Sequence, residues 1–173
     1  MVLYFTGTGN SRYIAERIAK ALDDELLSIN DRIKADSREA VDTGSRVVIV
    51  APTYAWRLPV IVSEWISETD FAGAEKIWFV MDCGSQIGNA AKYNRALSDR
   101  KNLQYMGTAQ IIMPENYIAM FPVPDSEEAA EIIANADPDI DDVIARISAS
   151  QKFAKPRNNL LDRMMSGPVN RMF

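Results

Sequence analysis

The 173-residue sequence contains no histidine. That absence excludes histidine general bases, Ser-His-Asp triads and zinc sites of the usual kind. A single cysteine, Cys83, cannot form an internal disulfide, and so little cysteine suits a reducing, cytoplasmic setting. No apolar run is long enough to cross a bilayer, and the opening residues read as a strand and not as a cleavable signal. Positive charge is also short. Lys and Arg number 19 against 24 Asp and Glu, and the resulting net charge of −5 argues against nucleic acid and anionic membranes as partners. What is present is ordinary for a globular chain: 47% hydrophobic residues in a length that one domain can bury.

Apolar segments suited to strands alternate with segments of helical period. "VLYF" (2–5) reads as a first strand, and "SRYIAERIAKAL" (11–22) as a helix with Ile14, Ile18, Ala21 and Leu22 on one face. "ELLSIN" (25–30) reads as a second strand, followed by a polar stretch to Gly44. "RVVIVAP" (46–52) and "KIWFVMD" (76–82) are continuous apolar runs, as expected of strands covered on both faces. Helices are expected over 59–68, where Pro59 suits a first turn, and over 88–99. A fifth strand lies within 103–113. Two helices, 126–136 and 138–153, are expected to divide at Asp137-Pro138, with Asp as cap and Pro at the first helical position.

This alternation predicts an α/β fold, doubly wound, with a five-stranded parallel sheet and helices on both faces. Ligands in such sheets bind beyond the carboxyl ends of the strands, near the point where strand order reverses. Three loops are therefore singled out: 6–11, 52–58 and 82–88.

The first loop, Thr6-Gly7-Thr8-Gly9-Asn10-Ser11, lies between a strand and a helix N-terminus. Its glycines let backbone N–H groups turn inward, the helix end favours an anion, and four side chains can donate hydrogen bonds. It is a phosphate cradle built from dipoles. The lysine of a P-loop is missing, and Arg12 stands where a dinucleotide fingerprint needs a small residue.

T-G-T-G-N-S after a first strand resembles the phosphate loop of flavodoxins, which bind FMN. The likeness continues in "PTYAWRLP" (52–59), "DCGSQIGNAAKYNRAL" (82–97) and "MPENYIAMF" (113–121). Together these resemble the flavodoxin module of bacterial and archaeal proteins that continue into a two-cluster ferredoxin. The resemblance implies strand order 2-1-3-4-5 and non-covalent FMN. It also implies electron transfer, with an iron–sulfur protein or domain as partner. Pro52, Thr53, Tyr54, Ala55 and Trp56 would flank one side of the flavin, with Tyr54 stacking on it. Asp82, Cys83, Gly84, Gly88 and Asn89 would face the other side and its pyrimidine edge. No residue is expected to act as an acid–base catalyst. Cys83 reads as a small buried filler, since nothing near it in sequence lowers its pKa. Asn116 and Tyr117 fall in a long segment of the kind that is often functional. The acidic run 137–142 lacks the glycine and glutamate that an EF-hand loop needs.

The resemblance covers residues 1–155, the expected FMN-binding domain. Residues 156–173, basic and amphipathic, read as a tail or connector, because the eight cysteines of the ferredoxin module do not follow. Two other functions stay open at this level: an FMN-dependent quinone or porphyrinogen oxidoreductase, and an interaction module without cofactor.

Overall fold

The computed structural model describes residues 1–117 and 121–154. Seven strands and five helices follow one another along these residues. They are β1 (Val2–Tyr4), α1 (Asn10–Leu22), β2 (Leu26–Ser28), α2 (Ile29–Lys34), β3 (Val41–Asp42) and β4 (Arg46–Pro52). After them come α3 (Val60–Glu68), β5 (Phe71–Ala72), β6 (Lys76–Cys83), α4 (Ala90–Arg100), β7 (Gln104–Ile112) and α5 (Ser126–Ser148). Five strands form one parallel sheet in the order β2-β1-β4-β6-β7. Counting only these five, the order is 2-1-3-4-5, the doubly wound arrangement expected.

Period-two alternation divides the core between the two faces. Val2, Val48, Val50, Trp78 and Val80 pack with Ile14 and Ile18 of α1 and with Ile140 and Ile147 of α5. Leu3, Val47, Ile49, Phe79 and Met81 pack on the opposite face with Val62, Trp65 and Ile66 of α3 and Leu97 of α4. Each face buries one tryptophan of the core with its indole N–H satisfied. Trp65 donates to the carbonyl of Ser37 at 2.9 Å, and Trp78 to that of Gln151 at 3.0 Å. Burial of both large rings therefore leaves no orphaned donor.

Several local expectations are corrected. The second strand ends at Ser28, because the Ser28 side chain accepts from the Asp31 N–H and starts α2 there. Ile29 and Asn30 are thus helical. The polar stretch to Gly44 also holds β3, which pairs with β5 in a separate two-stranded sheet. Pro59 caps α3 from outside instead of occupying its first turn. The divide at Asp137-Pro138 does not exist: α5 is one helix from Ser126 to Ser148 with Pro138 inside it. Asp137 is not a cap. Its carboxylate accepts from the Tyr13 hydroxyl at 2.8 Å and pairs with Arg17, which also reaches Asp141 at 2.7 Å. Docking on α1 thus outweighs the helix-breaking tendency of proline. The expected helix 138–153 ends at Ser148, and Phe153 beyond it is buried. The tail 156–173 lies outside the described residues.

β7 carries a bulge opposite Ile77–Phe79, where register jumps from Tyr105 to Thr108. Gly107 makes it possible, with φ of 119°, and the chain returning after α5 lies directly over it. The Phe153 N–H donates to the Met106 carbonyl at 2.8 Å. A Cβ on residue 107 would stand 2.8 Å from the Phe153 Cβ and 3.1 Å from its nitrogen. Gly107→Ala should therefore cost about 2–4 kcal/mol, from crowding together with a strained φ. A lower urea midpoint checks this, and an unchanged one counts against it. Pro138→Ala should act in the other direction. Alanine restores an N–H for the Ala134 carbonyl, and a gain of about 1–2 kcal/mol is expected in thermal unfolding after the lost unfolded-state constraint is subtracted.

Candidate functional site

The carboxyl ends of β1, β4 and β6 lie side by side, because β4 pairs with both neighbours in register: Tyr4 with Val50, and Pro52 with Asp82. This brings loop 5–9, loop 53–59 and loop 84–89 to one edge of the sheet. The segment 113–117 after β7 joins them, since the Met113 N–H donates to the Cys83 carbonyl at 3.0 Å.

Gly9 precedes α1 with φ of 114°, a backbone that a side chain would strain. The Gly9 N–H donates to the Thr6 hydroxyl at 3.0 Å, closing the loop on itself. From α2, Asn30 fixes the loop by two bonds. Its Oδ1 accepts from the Thr6 N–H at 2.9 Å, and its Nδ2 donates to the Thr6 carbonyl at 3.0 Å. The Asn10 amide donates to the Pro114 carbonyl at 3.0 Å, and Asn116 donates to the Thr8 hydroxyl. Thr6 and Thr8 thus accept from the protein and keep their own protons for another acceptor. The backbone amides of Gly7 and Thr8 meet no acceptor among the described residues. Those of Asn10 and Ser11 are first-turn amides without intrahelical partners. Four free amides at a helix N-terminus form an anion site, with no cation in it among the described residues.

Ser11 differs from the other loop residues. It is 1% exposed, and its hydroxyl donates to Asp82 Oδ1, on a carboxyl that is itself 3% exposed. Asp82 lies on the α1 side of the sheet, and both Asp82 and Cys83 belong to β6 and not to the loop beyond it. Burial pushes the Asp82 carboxyl up to about 6, against the Ser11 hydrogen bond and its own backbone N–H, which favour ionisation. Burial likewise pushes the Cys83 thiol up to about 12, so it is a protonated filler and not a thiolate.

Loop 53–59 turns back sharply. Tyr54 and Arg57 exchange both backbone hydrogen bonds, at 3.0 and 3.1 Å. Ala55 and Trp56 between them have φ of 48° and 59°. Positive φ at both central positions is the mark of a type I′ turn, which normally recruits Asn-Gly, and each non-glycine residue there costs roughly 1–2 kcal/mol. The turn leaves Tyr54 51% exposed at the edge of the site. Trp56 rests against Gly88, whose φ is 49°; a Cβ on residue 88 would come within 2.5–2.8 Å of the Trp56 side chain. The Thr53 hydroxyl is buried without a hydrogen-bond partner among the described residues, although the Thr53 N–H donates to the Asp82 carbonyl at 2.9 Å.

On the opposite side, Gln110 of β7 holds loop 84–89. Its Nε2 donates to the Ser85 carbonyl at 3.0 Å, and its Oε1 accepts from the Ile87 N–H at 3.4 Å. The Glu115 carboxylate lies over Gly84, with Oε2 against the place where a Cβ would stand. Its Oε1 accepts from the amides of Asn116 and Tyr117, each at 2.9 Å. Asn89 is the N-cap of α4 and makes no side-chain cap bond. Asn30, Gln110 and Glu115 are structural members of this site that the sequence patterns did not single out. Their signal is their reach across the sheet edge, which spacing along the chain does not reveal.

These residues fit a phosphorylated aromatic cofactor. The anion end has free amides and two hydroxyl protons, the loop beside it presents an exposed tyrosine face, and a buried orphan hydroxyl at Thr53 lacks a partner. Of the glycines at 84 and 88, a side chain at 88 would collide with the Trp56 indole, and one at 84 would have to displace the Glu115 carboxylate.

Known structures share the fold. A candidate flavoprotein from Bacteroides uniformis superposes with a TM-score of 0.52 at 20% identity, covering 65% of this chain and 88% of that one. A candidate flavoprotein from Bacteroides eggerthii does so with a TM-score of 0.50 at 18% identity, covering 83% and 96%. An FMN-dependent NADH-azoreductase from Bacillus anthracis, solved in complex with FMN, gives 0.49 at 10% identity, covering 85% and 99%. No curated protein matches the sequence. The family profile of the flavodoxin domain matches residues 1–110, more than half of the chain. With this strand order and a dipole-lined loop at its first strand end, the chain belongs to the flavodoxin domain family.

Proposed function

We propose that the protein binds FMN without a covalent bond and passes electrons between redox partners. The observation that carries this reading is the anion cradle at the N-terminus of α1. It holds four free amides and, among the described residues, no cation, at the point where strand order reverses. Such a cradle suits a phosphate fixed by short, directed hydrogen bonds. The flavin supplies the redox chemistry when bound, and the protein supplies binding and electrostatic tuning.

In this reading the amides of Gly7, Thr8, Asn10 and Ser11 and the Thr8 hydroxyl take the phosphate. Tyr54 offers its ring face to the flavin, where stacking contributes roughly 0.5–1.5 kcal/mol beyond burial. Thr53 gives its orphan hydroxyl to a polar group of the cofactor. The backbone of 84–88, kept open by Gly84 and Gly88, meets the polar edge of the ring. Trp56 and Glu115 limit water at the two sides. An iron–sulfur protein or domain is the proposed electron partner, supported by the sequence resemblance to modules joined to ferredoxins.

Freshly purified protein should show the yellow absorbance of bound flavin. In fluorescence titrations Thr8→Ala should weaken FMN about 10–100-fold, as expected for a lost hydrogen bond of about 1.5–3 kcal/mol to a charged group, and leave riboflavin unchanged. Tyr54→Ala should weaken both ligands alike. Equal loss of both ligands in both variants would overturn the assignment.

A further inference from the structure

Beneath the anion cradle lies a carboxyl that the binding role does not require. Asp82 is almost wholly buried, and its side chain meets the Ser11 hydroxyl, one residue into the helix whose first amides form the cradle. An ionised carboxylate at that depth opposes an anion bound at the helix end, because little water separates the two charges.

Among the described residues no counter-charge acts on Asp82. The first turns of α1 carry Arg12, which is exposed and paired with Glu16 at 2.7 Å. Tyr13 of the same helix is turned to Asp137. β1 brings Tyr4, and β4 and β7 set Pro52 and Ile111 in register with Asp82. Loop 53–59 brings Tyr54 and Arg57, of which Arg57 is held by its backbone to Tyr54. Next along β6 is Cys83, a protonated thiol, and the 113–117 segment adds Glu115, another acid. The groups acting on Asp82 among the described residues are Ser11 and its own backbone, with no cation.

Resting on the FMN reading, we infer that Asp82 is a positioning residue that couples phosphate binding to proton uptake, through its hydrogen bond to Ser11. With the carboxyl ionised, the Ser11 proton is committed inward and a buried negative charge lies below the cradle. With the carboxyl protonated, the acid donates to the Ser11 oxygen and that charge is gone. One proton is taken from solvent and none is released to the ligand. The phosphate therefore binds more tightly on the acid side of the Asp82 transition, which burial places at about 6, and its presence moves that transition upward. Riboflavin, with no phosphate, feels neither effect. The device makes the site sense pH only for a phosphorylated ligand.

The test is a titration of the intact chain and of Asp82→Asn with FMN and with riboflavin, at pH 5 and pH 8. Asparagine keeps the shape and lacks the charge, and ionisation of the FMN phosphate itself is common to both proteins. At pH 5 the two should bind FMN alike. At pH 8 the variant should bind FMN about tenfold or more tightly than the unmodified chain, with riboflavin unaffected throughout. The same FMN-to-riboflavin ratio in both proteins at both pH values would overturn the proposal. Should the variant fold poorly, the unmodified chain decides alone. The ¹³C carboxyl resonance of Asp82 must titrate at higher pH with FMN than with riboflavin, and coincident midpoints would overturn the coupling. Loss of FMN binding altogether, in the unmodified chain, would instead overturn the flavin reading and this inference with it.

Discussion

The arrangement depends on the pairing of β4 with β6, seven consecutive residues in unbroken parallel register from Arg46–Lys76 to Pro52–Asp82. Both strands are apolar on both faces, so a slip of one residue would keep the same burial, and burial alone does not set their register. Hydrogen bonding fixes the end point. The Thr53 N–H completes the ladder on the Asp82 carbonyl, and the chain departs into its turn from there. A slip of one residue would separate the loop bearing Tyr54 from the wall bearing Gly84 and Gly88.

Around that fixed edge the protein places its polar groups unevenly. The loop after β1 is tied from below by Asn30, from the side by Pro114 and Asn116, and from beneath by Asp82. What these ties leave free is the set of amides that points outward. Pre-ordering of this kind spares a ligand the entropy of organising its own donors. The ties come from three different parts of the chain, so the loop's shape is a property of the whole sheet edge and not of its own six residues.

That distribution explains what could be read from the sequence. The five main strands were legible because continuous β-branched runs such as "RVVIVAP" have few alternatives in an α/β chain, whereas their order came from the resemblance to flavodoxins. The glycine of the 6–11 pattern was legible at Gly9 because the backbone there, with φ of 114°, favours glycine. The continuity of α5 was not. Asp-Pro is a strong local stop signal, and it is overruled by Tyr13 and Arg17, more than a hundred residues away in sequence. β3 and β5 were hidden for a related reason, since two-residue strands have no period to detect. The inward turn of Ser11 was equally invisible. A serine at a helix start looks the same whether it faces a ligand or a buried acid.

The contact between Trp56 and Gly88 has a consequence for how this chain can change over time. Residue 88 has no room for a side chain while the indole lies against it, and residue 56 holds its left-handed backbone without the help of glycine. The two positions are therefore not independent in mutational history. A lineage can enlarge residue 88 only after residue 56 has shrunk, whereas residue 56 can shrink first at the cost of packing alone. The order of steps is thereby set by the indole.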